Sequence, residues 1–570
     1  MVWAGPRSVM PAQRGSKVLA FGNLPPQPTS FVGRASEQAE VLRLLGAARA
    51  LTLVGPGGIG KSRLALNVAA RTAEPFTDGV CFVELAALSD PQLVPQTAAC
   101  SLGLQENPGQ PPLQHLLESL QDRCLLLLLD NCEHVLGACC ELVEAVTQSC
   151  PGVVLLATSR EPVRARGETV WQVPPLSSLP GAEGKPAEAV QLFVERARIR
   201  RADFELTSEN ISTLEDICRR LDGIPLAIEL AAARSNVLTP RQLAAHLDER
   251  LNVLSRGSAG APARHQTLRA LLDWSYDLLS EPEQRLFRRL AVFAGGSTLE
   301  DVEAVCAGDG LLREHTLDLL SELLDKSLLA ARPQAGQMRY VFLETVREYA
   351  REKLRAAGEE DRCRLRHANW FAALAKRWRD YFFGPDSAPL HDRLEAHVDN
   401  FRAALDWAQV DANQPEIGLA LAADLQWFWI GSGRVGEGQQ WLAEALAQPA
   451  TDTSAAAPRA RLWALLASGL ICIYSTDLTQ SKARLEASLE LAQELGDLKA
   501  QVRATAFLAV VRTYMGDLSA ARSGCAQALT LARELDDHIT VYFALHGLAQ
   551  VHQFEGDFAR AVELDRQGLA

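Results

Sequence analysis

Three absences narrow this chain's class. It has no C-x-x-C pair, no long apolar run and no excess of positive charge. Its 12 cysteines are scattered, with Cys139 beside Cys140. That pattern suits neither a zinc site nor a disulfide framework, so most of them are expected to be reduced core thiols. The longest purely apolar stretches, such as Cys124 to Leu129, run to six residues, against the about 20 that a membrane-crossing helix needs. No membrane span is expected. Arg7, Pro11 and Arg14 interrupt any apolar leader segment near the start, so cytoplasmic residence is the expectation. The net charge of −13 opposes non-specific attraction to nucleic acid and leaves room only for a local basic patch.

What remains is the composition of a globular chain, with 48% hydrophobic and 22% charged residues. At 570 residues it is too long for one core, and about 100 to 200 residues per domain predicts three or four domains. Residues 1–28 carry Pro6, Pro11, Pro25, Pro26 and Pro28 and read as an extended arm. From 29 to 180, short β-type runs alternate with helical ones: Ala50 to Val54, Val80 to Leu85, Cys124 to Leu129, Val153 to Ala157 and Val170 to Val173. Continuous apolar strands of this kind predict a parallel sheet covered on both faces, an α/β domain of three layers.

From 181 to 258 helix formers dominate, ending in a Gly, Ser and Pro rich stretch, Ser255 to Pro262. Short helices and two candidate strands, Ser327 to Ala331 and Arg339 to Leu343, around a turn at Pro333 to Gly336, predict a winged-helix domain over 263–356. Residues 357–570 read as TPR-like helical repeats forming an α-solenoid. Its turns Thr476-Asp477-Leu478, Gly516-Asp517-Leu518 and Gly556-Asp557-Phe558 recur every 40 residues, and a less regular turn falls at Gly433 to Gly436. The last helix lacks an obvious polar cap at Ala570, so further chain is expected beyond it.

The segment Gly55-Pro56-Gly57-Gly58-Ile59-Gly60-Lys61-Ser62, followed by Arg63, satisfies G-x-x-x-x-G-K-[ST] between a predicted strand and a predicted helix. Its glycines let backbone N–H groups turn onto phosphate oxygens, and the helix N-terminus adds positive potential. Lys61 is expected at the β and γ phosphates, and Ser62 on Mg²⁺. Asp130 ends the apolar run Cys124 to Leu129, where a carboxylate organises the metal and water. The alternative, a strand that simply ends at a loop-capping Asp, stays open. Val80 to Leu85 intervenes between the two motifs, an insertion that suits P-loop ATPases better than nucleoside kinases.

Phe31-Val32-Gly33-Arg34, Asp130-Asn-Cys-Glu-His134, Ala157-Thr-Ser-Arg160 and Leu221-Asp-Gly-Ile-Pro225-Leu-Ala227 follow in an order that, with the P-loop, resembles the STAND class of signal-transduction ATPases. The likeness is strongest to bacterial NB-ARC-like regulators of the LuxR and AfsR type, over about residues 24 to 450. The resemblance implies that Val32 and Arg34 lie by the adenine and ribose, that Arg160 senses the γ-phosphate and that Pro225 presses on the nucleotide. Bland readings remain beside these: a surface ion pair for Arg160, a helix-opening proline for Pro225.

Two positions depart from the family pattern. Asn131 stands where many relatives carry a second acid, so hydrolysis should be slow, with Glu133 as a candidate base or a mere capping residue. In Tyr340-Val-Phe-Leu-Glu-Thr-Val-Arg-Glu-Tyr-Ala350, Leu343 and Glu344 occupy the family's His-Asp pair, so its histidine contact to ADP does not carry over.

The reading that follows is an ATP/ADP switch, at most a slow Mg²⁺-dependent ATPase. Its repeats would sense a protein or small-molecule inducer, and its nucleotide state would control opening or self-association. A turnover ATPase or kinase and a repeat scaffold with a vestigial site are the alternatives. Direct DNA binding is not expected from this chain: Arg285, Arg288 and Arg289 read as a solvated helix face, and DNA would be met through a domain not visible here.

Overall fold

The computed structural model describes residues 21–569 apart from 28, 73–75, 108, 179–185, 255–262, 380–386, 411–413 and 449–455. The expected arm over 1–28 falls mostly outside these residues, as do the boundary at Ser255 to Pro262 and the chain end at Ala570.

Six parallel strands form the first sheet: β1 (Phe21–Gly22), β2 (Ala50–Val54), β3 (Gly79–Glu84), β4 (Leu125–Asp130), β5 (Val153–Ser159) and β6 (Glu168–Gln172). Their order is β1-β3-β4-β5-β2-β6. β4 shows why an unbroken leucine run suits such a sheet. Leu126 and Leu128 pack into the core on one face, and Leu125, Leu127 and Leu129 into the core on the other. The strand lying between the P-loop strand β2 and the Asp130 strand β4 is β5, not the Val80 to Leu85 segment, which flanks β4 on its far side. Intervening in sequence and intervening in the sheet are different relations, because crossovers reorder strands. The carboxyl ends of β2, β4 and β5 therefore lie side by side.

Helices Glu188–Arg200, Ile211–Arg220, Pro225–Ala232 and Pro240–Leu254 follow, then helix Ala263–Asp277 and the winged-helix fold. Its wing pairs β7 (Ala330–Gln334) with β8 (Gln337–Val341) in antiparallel fashion. The expected first wing strand thus lies three residues later, and Pro333 sits inside β7 opposite Met338. In a two-stranded ribbon both strands are edges, so a proline without an N–H is tolerated. The turn itself is Ala335-Gly336, both at positive φ, the two-residue geometry that matches strand twist.

Of the arginines expected on a solvated face, Arg285 pairs at the surface with Glu281, but Arg288 and Arg289 turn inward. Arg289 is fully buried, its Nε donating to Glu359 and its Nη1 to the carbonyls of Cys306 and Gly308, while Arg288 pairs with the same carboxylate. A positive helix face meets a buried acid that the local sequence does not display. The wing is fixed to the helices that follow by a second buried network. Arg339 donates to Gly296 O at 2.8 Å, Asn400 bridges Gly296 O and Ala294 N, and His367 and His397 lie against Asn400 and Asp301. Burial pulls both imidazoles down to about 4, so they are neutral at neutral pH.

The solenoid repeats with a finer period than 40 residues. Asp477, Asp497, Asp517, Asp537 and Asp557 each precede a helix, and the residue before each, Thr476, Gly496, Gly516, Asp536 and Gly556, takes positive φ. Asp477, Asp497, Asp517 and Asp557 cap the next helix by accepting an N–H three residues on. Asp537 instead holds the buried Arg503 at 2.7 and 2.8 Å. Asp517→Ala should cost about 1 kcal/mol of solenoid stability as a lost cap, whereas Asp537→Ala should cost about 3 kcal/mol because it strands a buried guanidinium. Urea unfolding of the two variants checks the difference.

Candidate nucleotide-binding site

The P-loop leaves β2 at Gly55 and closes on helix Lys61–Arg71. Gly58 and Gly60 hold φ of 76° and 92°, which side-chain-bearing residues adopt only under strain. Lys61 is buried, and its Nζ donates to Gly55 O at 2.8 Å and Pro56 O at 3.2 Å. Burial lowers its pKa, opposed by the nearby carboxylates of Glu133 and Asp130. Ile59 is wholly buried beneath the loop.

β4 delivers Asp130 beside this loop. Its carboxylate takes hydrogen bonds from the hydroxyls of Ser62 and Thr158, the latter at 2.5 Å, and burial raises its pKa against them. The pair Ser62 and Asp130 is a hard, all-oxygen donor set of the kind Mg²⁺ accepts when substrate oxygens complete it. Thr158 also accepts the N–H of Asn131, which stands at φ 66°. Asparagine and aspartate both tolerate that left-handed conformation, so the backbone accepts Asn131 without itself excluding a second acid.

Arg34 is buried under the loop, its Nη2 donating to Ile59 O at 2.6 Å and Pro174 O at 3.1 Å. Its guanidinium would lie 3.8 Å from a Cβ added at Gly60. Arg34 Nη1, Arg160 Nε and Glu133 Oε2 are buried polar atoms without a hydrogen-bond partner, two donors and one acceptor beside a phosphate-type loop. Such atoms are costly to leave unpaired, and their chemistry fits an anionic ligand with a hydrated cation. Val32 is partly buried against the core beside Phe31. Arg63 turns away from the loop, donating to Glu229 and to the carbonyls of Thr29 and Ser30, with Arg196 on the same three residues.

Two other parts of the fold press on the cradle. Pro225 opens helix Pro225–Ala232 at its first position, and the next residue, Leu226, donates its N–H to Gly58 O at 3.2 Å. A Cβ on Gly58 would come within 2.9 Å of the Leu226 side chain, and one on Gly57 within 2.5 Å of Thr345 Oγ1. Thr345 belongs to helix Glu344–Ala356 of the winged helix. Leu343, in the place of the family's histidine, is 51% exposed, and Glu344 pairs with Arg347. Arg160, just past β5, reaches Glu133 at 3.0 Å and Glu348 of the winged helix at 2.7 Å.

Lys61, Ser62, Asp130, Glu133, Arg34 and Arg160 thus converge around one loop. Thr158, Leu226, Thr345 and Glu348 escape sequence reasoning. Thr345 and Glu348 sit three residues apart on one helix face, a spacing the sequence does contain.

Among the described residues no helix is long and apolar enough to cross a membrane. The winged helix-turn-helix domain family matches residues 279–355, and the tetratricopeptide repeat family matches 501–570. A Mycobacterium tuberculosis protein provisionally named an HTH-type transcriptional regulator is 41% identical over 465 residues, covering 81% of this chain and 51% of that protein. An uncharacterized protein of the same organism is 43% identical over 334 residues, covering 58% of this chain and 83% of that one. The regulatory protein AfsR of Streptomyces coelicolor is 29% identical over 366 residues, covering 60% and 34%. The chain spans about half the length of the first of these relatives. Among solved structures, a STAND protein with a tetratricopeptide repeat sensor from Pyrococcus horikoshii aligns over 95% of this chain and 83% of its own, at TM-score 0.46 and 15% identity.

Proposed function

This chain belongs to the family of its 43% identical mycobacterial relative and is similar to the regulatory protein AfsR, and we propose that it is a STAND-class, adenine-nucleotide-dependent switch of a transcriptional regulator. The observation that carries this is the convergence of three parts of the fold on one loop: Gly57 faces Thr345 of the winged helix, Gly58 faces Leu226 of the helical segment, and Lys61 is held by the loop carbonyls of Gly55 and Pro56. Whatever fills the loop therefore bears on how those parts sit. Only a ligand that binds the two arrangements differently can shift them.

In this reading Lys61 and the loop N–H groups hold the phosphates, Arg34 and Val32 lie toward the nucleoside, and Ser62 with Asp130 holds Mg²⁺. The metal, when bound, neutralises phosphate charge. Glu133 orients water as a weak base, since Asn131 supplies no second carboxylate, and turnover is slow. The repeats take a protein or small-molecule inducer, in keeping with the concave surface that such arrays present.

The helix before the wing, Thr316–Asp325, carries Asp318, Glu322 and Asp325. That charge disfavours phosphate backbone. The winged helix here acts as an internal clamp on the nucleotide loop. Hydrogen exchange in the presence of Mg²⁺ tests the switch: ADP should protect residues 342 to 352 relative to ATP, whereas identical protection with both nucleotides argues against it.

A further inference from the structure

The winged helix reaches the nucleotide loop with two side chains on one face of helix Glu344–Ala356. Thr345 lies against Gly57, and one turn on, Glu348 accepts a hydrogen bond from Arg160 Nη2 at 2.7 Å. The Arg160 Nε faces Glu133 at 3.0 Å. A guanidinium recognises phosphate by presenting paired N–H groups to it, and here Nη2 is given to Glu348 while the buried Nε lies within ion-pair distance of Glu133 without donating a hydrogen bond. The neighbouring acid Glu344 pairs with Arg347 and acts on Arg160 only at longer range, so Glu348 is the winged-helix anion in contact with Arg160.

Building on the switch reading, we infer that Glu348 is a specificity-determining residue of the nucleotide site: its carboxylate occupies Arg160 in place of a terminal phosphate and so favours a nucleoside diphosphate over a triphosphate. The γ-phosphate of a triphosphate and the Glu348 carboxylate are rival anions for one cation. Giving Arg160 to the phosphate releases Glu348, and with it the contact that seats Thr345 on the loop. Arg160 is about a third exposed and Glu348 43% exposed. The contact is therefore a bias on nucleotide choice and not a permanent lock.

The test titrates the full chain with Mg²⁺ and either ADP or the β,γ-methylene analogue of ATP by calorimetry, for the wild type, Glu348→Gln, Arg160→Ala and the double variant. Glu348→Gln should raise the affinity for the analogue relative to ADP by about three- to tenfold. In the Arg160→Ala background the same change should move the ratio by less than about twofold, because the rivalry is gone. Thermal melts that match the wild type establish that each variant is folded. A ratio that Glu348→Gln leaves unchanged, or moves equally without Arg160, overturns the inference alone. Failure of the wild type to bind either nucleotide overturns the switch reading and this inference with it.

Discussion

Lys61→Ala is expected to weaken adenine nucleotide binding by about 100-fold or more, measured by calorimetry with ADP and Mg²⁺. The Nζ is buried and held by two carbonyl groups of its own loop, at 2.8 and 3.2 Å. An ammonium is costly to bury, and the net effect on Lys61 is a lowered pKa. A position that keeps a charge there at such expense is one where a strong anion gives the charge a use. The substitution leaves Gly55 O and Pro56 O without that donor, a cost of about 1 kcal/mol, so the fold should survive. Affinity that survives along with the fold would move the reading toward a scaffold with a vestigial site.

The second large effect lies far from that loop, where Arg402 grips Glu437 through Nε at 2.7 Å and Nη2 at 2.8 Å, with both side chains buried. Glu437→Ala should destabilise the base of the solenoid by about 3 kcal/mol, because it leaves the buried guanidinium only the partly exposed Asp399 as a carboxylate partner, at 3.2 Å. Replacing both residues with leucine should recover most of the loss. Burial opposes ionisation of Glu437, but Arg402 outweighs it and holds the carboxyl below its usual range. A depressed folded-state pKa gives stability that is complete above the unfolded value of about 4.3 and is lost as pH falls below it. Urea unfolding of the wild type should therefore weaken as pH is lowered from about 5, and Glu437→Ala should show a smaller decline over the same interval.

How much of this could be read beforehand depends on whether the cause is local. The P-loop, Asp130 and the alternation of strands and helices were legible because each rests on spacing within a few residues. Thr158 was quoted as part of a motif, yet its hydroxyl bridge between Asp130 and Asn131 needed the pairing of β4 with β5. Arg289 was read as solvated because its acid, Glu359, lies 70 residues away. Glu348 stayed hidden for a like reason, being 188 residues from Arg160. The aspartate before each solenoid helix is legible in the sequence, with Asp497 and Asp537 falling midway between the turns of the 40-residue period.

The buried network of Arg339, Asn400, His367 and His397 also has a mechanical meaning. It makes the wing and the first solenoid helices one stiff lever whose short arm ends at Thr345 on the P-loop. The nucleotide domain also touches the solenoid directly, through Glu106 to the backbone of Gly433 and Gly436, Gln105 against Gly433, and Asp90 to Gln440. A tilt of this lever at the loop would therefore have to break those contacts at the base of the solenoid before its far helices could swing.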